Sequence, residues 1–325
     1  MAADFHTLIR QNQRNSWLLI AGFTCLIVVL GGAIGYAWAG LYADGSPELA
    51  LATAAFGMAV AFVVAVVGAA GSYFAGPSAI LALSGARPLR RSDDPVLWNV
   101  VEEMAIAAGI PTPNVYVIDD TAPNAFATGR DPEHAVVAVT RGLREKLTRD
   151  ELQGVIAHEI SHIRNHDILF GVLMATLVGV VVLLCDMFLR SLRWGRFSGR
   201  SRSARRGKGG GSGALIVVLL ALLLSVIAPL LAKLIEMAFS RQREYLADAA
   251  GVELTRNPDG LAGALAKIAS DPEVLEAANR ATAPLYFVHP IKSFEQRAST
   301  IMDSHPPVKD RIARILSLKG RGAMP

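Results

Sequence analysis

Cysteine is almost missing from this chain: only Cys25 and Cys185 occur, both inside apolar segments. That count excludes a disulfide framework and a thiolate metal site. Charge is scarce as well. Asp, Glu, Lys and Arg make up 18% of the 325 residues against 52% hydrophobic, a balance too apolar for an ordinary soluble enzyme. The scarcity is local. No charged residue occurs between Arg14 and Asp44, between Glu48 and Arg87, or between Lys208 and Lys233. Each of these blocks can cross a bilayer, which needs about 20 apolar residues. A fourth block, between Asp167 and Asp186, is shorter. An integral membrane protein is expected. Arg10, Arg14 and the triplet Ala37-Trp38-Ala39 also suit a cleaved signal peptide. The apolar core from Trp17 to Ile34 exceeds the usual h-region of roughly 7–15 residues, which favours a retained helix.

Acidic residues are absent from one further stretch. Arg190, Arg193, Arg196, Arg200, Arg202, Arg205, Arg206 and Lys208 follow one another without a carboxylate, interleaved with Gly and Ser. Such a segment has too little apolar surface to fold alone. Pinned between two apolar helices, the loop 190–213 is expected to meet the lipid bilayer at anionic headgroups rather than nucleic acid.

No internal repeat is evident. The chain divides into a tail 1–16, a transmembrane hairpin 17–75 (helices 17–41 and 49–75), a soluble region 88–167, an apolar helical hairpin 168–238 (helices 168–188 and 214–238) and a soluble region 239–325. The first soluble region reads as α+β. A helix over Pro95–Ala108 is closed by Gly109 with Pro111 and Pro113 beyond it. Val115–Ile118 and Ala135–Val139 are short β-rich runs. The last region is helical, with buried stripes expected at Leu261, Leu265 and Ile268, and at Val308, Ile312 and Ile315–Leu316. Together the soluble parts come to roughly 165 residues, enough for one domain with its own core.

What the sequence does contain is His158-Glu159-Ile160-Ser161-His162, an H-E-x-x-H pattern. Residues four apart share a helix face, so both imidazoles can reach one zinc ion with the glutamate beside it as a general base. A helix is expected there independently. Thr148-Arg149-Asp150-Glu151 reads as a capping box. Leu152, Val155, Ile156, Ile160 and Ile163 then recur at helical spacing. The blander alternative is a hydrogen-bonded histidine pair on an amphipathic helix.

A catalytic zinc site keeps three protein ligands and one open position. A metzincin-type third histidine fails, because Ile168 stands at its place and Asn165 where a glycine is needed. His166 lies one turn past His162, and three stacked histidines on one helix surround a tetrahedral ion poorly; His166 reads as a helix-end residue. Glu244 is the better candidate. It shares a helix face with Asp248, so one carboxylate can bind metal while the other accepts the ring N–H of a ligand histidine. Taken alone, Arg241, Arg243, Glu244 and Asp248 would suit an exposed face with loose ion pairs.

These motifs, with Asn165-His166-Asp167, the Ser240–Asp248 segment, Pro123–Gly129, Ser304-His305-Pro306-Pro307 followed by Arg311, and the four apolar helices, resemble the HtpX family of bacterial membrane metalloproteases. These are gluzincins related to the CAAX prenyl endopeptidases, and the likeness covers nearly the whole chain. It implies an α-helical integral membrane protein with a zincin-like α+β metalloprotease domain and two to four transmembrane helices. It implies one zinc held by His158, His162 and Glu244, with Glu159 as the catalyst. It further implies that Asn124, Ala125 and Phe126 line the substrate cleft and that His305 stabilises the tetrahedral intermediate. Implied too are membrane-protein or unfolded polypeptide substrates, in quality control at the bacterial inner membrane, with the catalytic domain facing the cytoplasm.

Charge placement supports that orientation in part. Arg10, Arg14, Arg87, Arg90 and Arg91 flank the first hairpin, while its short connection carries Asp44 and Glu48. If the second apolar pair also spans, the basic loop lies outside, against the rule. The block from Ile168 to Leu184 is short, so a spanning pair and an interfacial hairpin both stay open. So do two alternative functions, a processing peptidase of narrow specificity and a non-catalytic zinc-binding scaffold.

Overall fold

The computed structural model describes residues 5–42, 46–197, 211–278, 285–288 and 306–319. The chain forms two compact units, one of residues 14–72 and 173–236, the other of 1–13, 73–172 and 237–325.

The first unit is helical. Helices α1 (Phe5–Tyr42) and α2 (Pro47–Leu83) are followed, after the soluble segment, by two more long helices, Asp167–Phe197 and Gly211–Thr255. All four are long and apolar enough to cross a membrane. Every one runs further than its apolar stretch suggested. The expected 49–75 helix continues through Pro77 to Leu83. The block read as short belongs to a 31-residue helix, about 46 Å at 1.5 Å per residue, so its length does not prevent a crossing. Within this unit α1 and α2 touch backbone to backbone. A Cβ on Gly57 would collide with the Gly31 carbonyl, and one on Gly35 with the Thr53 carbonyl. Small residues permit this close approach where lipid gives no hydrophobic drive for helix association. Outward, α2 shows Phe56, Phe62, Val67 and Phe74, each at least half exposed, as a lipid-facing surface requires.

The second unit is built on a four-stranded sheet of order β1-β2-β4-β3, with β1 Arg87–Pro88, β2 Asn114–Ile118, β3 Ala125–Thr128 and β4 Val136–Thr140. The pair β2–β4 is parallel and both outer pairs are antiparallel, so β3 is an edge strand. Helix α3 (Pro95–Ala108) starts under a hydrogen bond from Leu97 N–H to Asp94 and ends at Gly109, whose φ of 69° needs the missing side chain. After α4 (Arg141–Lys146) comes α5 (Arg149–Arg164), capped by the reciprocal Thr148–Glu151 box.

Leu152, Val155, Ile156, Ile160 and Ile163 of α5 are all buried at the centre of the core, between α3, β3 and α8 (Pro258–Ser270). Gly154 lets α8 close in: a Cβ there would lie 2.8 Å from the Leu261 Cα. The second long pair is numbered α6 (Asp167–Phe197) and α7 (Gly211–Thr255), and the last helix is α9 (Val308–Ser317). Leu261, Leu265, Ile268 and Ile315 are buried as their spacing predicts, but Leu316 is 41% exposed. Neighbours on a helix are about 100° apart, so Leu316 points away from the face that buries Ile315. The basic stretch 198–210 lies outside the described residues.

Candidate metal centre

Helix α5 presents His158 and His162 one turn apart, with their Nε2 atoms 3.1 Å from each other. Glu244 reaches them from the polar end of α7, Oε1 lying 3.5 Å from His162 Nε2 and Oε2 3.7 Å from His158 Nε2. Helix α7 comes this near because Gly251, two turns beyond Glu244, stands against α5; a Cβ on it would be 3.3 Å from the His158 nitrogen. A tetrahedral ion with bonds of about 2.0–2.1 Å needs its ligand atoms about 3.3 Å apart. Each histidine faces a different oxygen of Glu244, and with one donor atom from each residue the three lie within 4.8 Å of one another. Two imidazoles and one carboxylate are also a donor set that zinc takes readily, so the residues fit a zinc-type cation.

Each imidazole is oriented from behind. His158 Nδ1 lies 3.0 Å from Asp248 Oδ1, and His162 Nδ1 lies 3.1 Å from Asp167 Oδ2. Such carboxylates fix the tautomer so that Nε2 faces the metal. Asp248 is itself gripped by the Arg311 guanidinium through bonds of 2.7 and 2.9 Å. Arg311 is fully buried, stands 3.2 Å from Glu244 Oε2 and donates to the Phe287 carbonyl at 2.9 Å. Asp167 meets Arg243, whose NH1 donates to its main-chain carbonyl at 3.2 Å. Rather than lying on an exposed face in loose pairs, Arg243, Glu244 and Asp248 are all buried.

Burial sets the charge states. Desolvation lowers the His158 pKa to about 4, which keeps its lone pair available. It raises the Glu159 pKa to about 7, within the range where a carboxyl group can take up and return a proton. Burial also works against charge on His162, but Asp167 and Glu244 outweigh it and push that pKa up to about 10. Arg311 behaves similarly: desolvation opposes its charge, yet Asp248 and Glu244 hold its pKa above the ordinary arginine value. The surroundings of His162 Nε2 therefore favour positive charge, whether a proton or a metal ion.

The remaining expected site residues are placed as follows. The main chain of Ala127 in β3 favours the ionised form of Glu159, against the burial that outweighs it. The Asn124 carboxamide donates to the Val288 carbonyl at 2.7 Å and accepts from the Val288 N–H at 3.2 Å. The Ala125 carbonyl accepts from the Phe287 N–H at 2.8 Å. The Phe126 ring is buried edge-on against Tyr286. His305 lies outside the described residues. His166 sits at the bend between α5 and α6 with a φ of 60° and is not among the three clustered donors. From the sequence Arg243 has a place only in loose surface ion pairs and Phe287 has none, while Asp167 and Arg311 stand only as motif letters. No local spacing links them to the histidines; Arg311, for instance, is 153 residues from His158.

Helix-borne imidazoles meeting a distant carboxylate, in a chain with four helices of bilayer length, define a membrane metallopeptidase. Residues 91–319 match peptidase family M48. Over 309 residues the chain is 43% identical to a "Protease HtpX homolog" of Listeria monocytogenes serotype 4b (strain CLIP80459), covering 94% of this chain and 97% of that one. A homolog of the same description from Thermoanaerobacter pseudethanolicus is 50% identical over 238 residues, covering 73% and 77%. The chain belongs to peptidase family M48, among the HtpX proteases. It also resembles the crystal structure of S. mikatae Ste24p, with a TM-score of 0.45 and 22% identity over 77% of this chain and 56% of that one.

Proposed function

We propose that this protein is a zinc-dependent endopeptidase of the bacterial inner membrane, which degrades misfolded or damaged membrane polypeptides from a site facing the cytoplasm. The observation that carries the reading is the convergence of His158, His162 and Glu244, which offer one donor atom each within 4.8 Å of one another. Kinship with the HtpX proteases supports the quality-control role, and the arginines flanking the first hairpin support the orientation. On this reading the regions 88–167 and 239–325 together form the catalytic domain, with the hairpins 17–75 and 168–238 in the membrane.

His158, His162 and Glu244 hold the ion, and Asp248 fixes His158 in the tautomer that leaves Nε2 as the donor. A zinc ion bound there supplies Lewis acidity to the peptide carbonyl and brings the pKa of a water down to about 7. Glu159 takes the proton from the attacking water and hands it to the leaving amine. Asn124, Ala125 and Phe126 hold the substrate extended along the edge strand, and His305 donates to the developing oxyanion.

The test is casein cleavage by purified protein, with and without a chelator, beside a Glu159→Gln variant. Chelation should abolish cleavage. The variant should keep one zinc per chain and lose about 10²–10⁴-fold in turnover. Wild-type turnover in Glu159→Gln would remove the base, and cleavage indifferent to chelator would remove the metal. Zinc bound without any cleavage would leave a scaffold.

A further inference from the structure

The segment Leu285–Val288 uses the same groups that the resemblance assigns to substrate. Its Tyr286, Phe287 and Val288 side chains are buried in the core, and its main chain is bonded as well. The Phe287 N–H donates to the Ala125 carbonyl at 2.8 Å. Val288 offers both its N–H and its C=O to the Asn124 carboxamide, at 3.2 and 2.7 Å. The Phe287 carbonyl takes the Arg311 guanidinium at 2.9 Å. These are groups that any extended polypeptide can present, whatever its side chains.

Three features locate the segment at the reacting centre. The Phe287 ring meets the His158 ring edge-on, with centroids 4.8 Å apart. Arg311, which donates to the Phe287 carbonyl, also grips the partner carboxylate of His158. Two residues along β3, the Ala127 main chain acts on the charge of Glu159. Because β3 is the edge of its sheet, the Ala125 carbonyl faces away from β4, and the bent Leu285–Val288 segment takes it through one main-chain bond.

We propose that Leu285–Val288 is a built-in peptide ligand. It occupies the Asn124 carboxamide and the Ala125 carbonyl and must leave before a substrate can pair with them, so the enzyme holds itself in check. This rests on the peptidase reading above. The exclusion is steric and stoichiometric: one carboxamide face and one carbonyl cannot serve two main chains. Arg311 is then a substrate-contacting residue, bound to a main-chain carbonyl in the same way. The apparent affinity for substrate is reduced by the fraction of molecules in which the segment is displaced.

Two measurements test it. Val288→Pro removes the N–H given to Asn124 while leaving the cleft residues untouched, and proline favours an extended residue before it. Its kcat/KM on a short unstructured peptide should rise about tenfold, the net worth of one hydrogen bond, with zinc content unchanged. An unchanged or lower value at full zinc content would overturn the inference. The second needs no change in the segment. In zinc-loaded Glu159→Gln, a saturating casein-derived peptide should speed amide exchange at Phe287 and Val288 at least tenfold. Equal or slower exchange would show a segment that stays in place as a wall. If wild-type protein cleaves casein and both results are negative, only this inference falls; if casein is not cleaved at all, the peptidase reading falls with it.

Discussion

The two imidazoles are held by the same order of groups at different tightness. Behind His158 stand Asp248, Arg311 and the ring of Phe287; behind His162 stand Asp167, Arg243 and the ring of Phe170. On the first arm the carboxylate–guanidinium bonds are 2.7 and 2.9 Å, and the guanidinium is 4.9 Å from its ring. On the second, Arg243 Nε is 3.5 Å from Asp167 Oδ1, and the guanidinium is 5.4 Å from its ring. His158 is 1% exposed against 14% for the His162 side chain. A bidentate guanidinium–carboxylate pair fixes direction as well as charge. One arm is therefore a rigid anchor, while the other, at the first residue of α6, has slack.

The largest expected effect follows from breaking the tight arm. Arg311→Met leaves Asp248 and Glu244 buried without their cation, a loss of about 3–5 kcal/mol for such a pair. Chemical unfolding of the metal-free protein in detergent should show it. Added zinc should recover part of the loss, because the ion restores positive charge beside Glu244. A variant as stable as wild type without metal would erase the distinction between the arms.

What could be read without coordinates was local. The Thr148–Glu151 box, the stripe from Leu152 to Ile163, the stop at Gly109 and the shared face of Glu244 and Asp248 all rest on separations of a few residues. Both arms escaped because their bonds join distant segments: Arg311 to Asp248 spans 63 residues and Arg243 to Asp167 spans 76. A buried arginine is written with the same letter as a surface one. Helix ends failed for another reason. Hydropathy marks where the apolar run stops, whereas α7 carries on through Arg241, Arg243 and Glu244 to Thr255, since these residues propagate a helix well. Strand β1 is two residues long, too short for any period to register.

A smaller effect compares the carboxylates directly. Asp248→Asn and Asp167→Asn both take the negative charge from the acceptor that holds a ligand ring, a change that typically weakens metal binding 10–100-fold. Competition with a zinc chelator should place Asp248→Asn near the upper end and Asp167→Asn near the lower, because a ring with slack loses less orientation when its partner changes. Equal losses would mean that the differences in distance and burial have no energetic counterpart.

The smallest effect belongs to Arg243→Lys. Lysine keeps the charge beside Asp167 but gives up the planar fork and most of the stacking on Phe170. Had Arg243 been bound as Arg311 is, that exchange would cost the geometry of two short bonds. Its hydrogen bond to Asp167 goes instead to the main-chain carbonyl at 3.2 Å, and its Nε stands 3.5 Å from the carboxylate, where direction counts for less and an ammonium on a flexible stem supplies much the same field. Zinc affinity should fall less than about threefold, below the range expected for loss of the carboxylate itself. The parallel substitution Arg311→Lys should fall well inside that range, since Asp248 would lose its second bond and rotate away from His158. If Arg243→Lys instead proved as costly as Arg311→Lys, position at the start of α6 would matter more than bond length. His162 would then be held through the helix start rather than through its carboxylate.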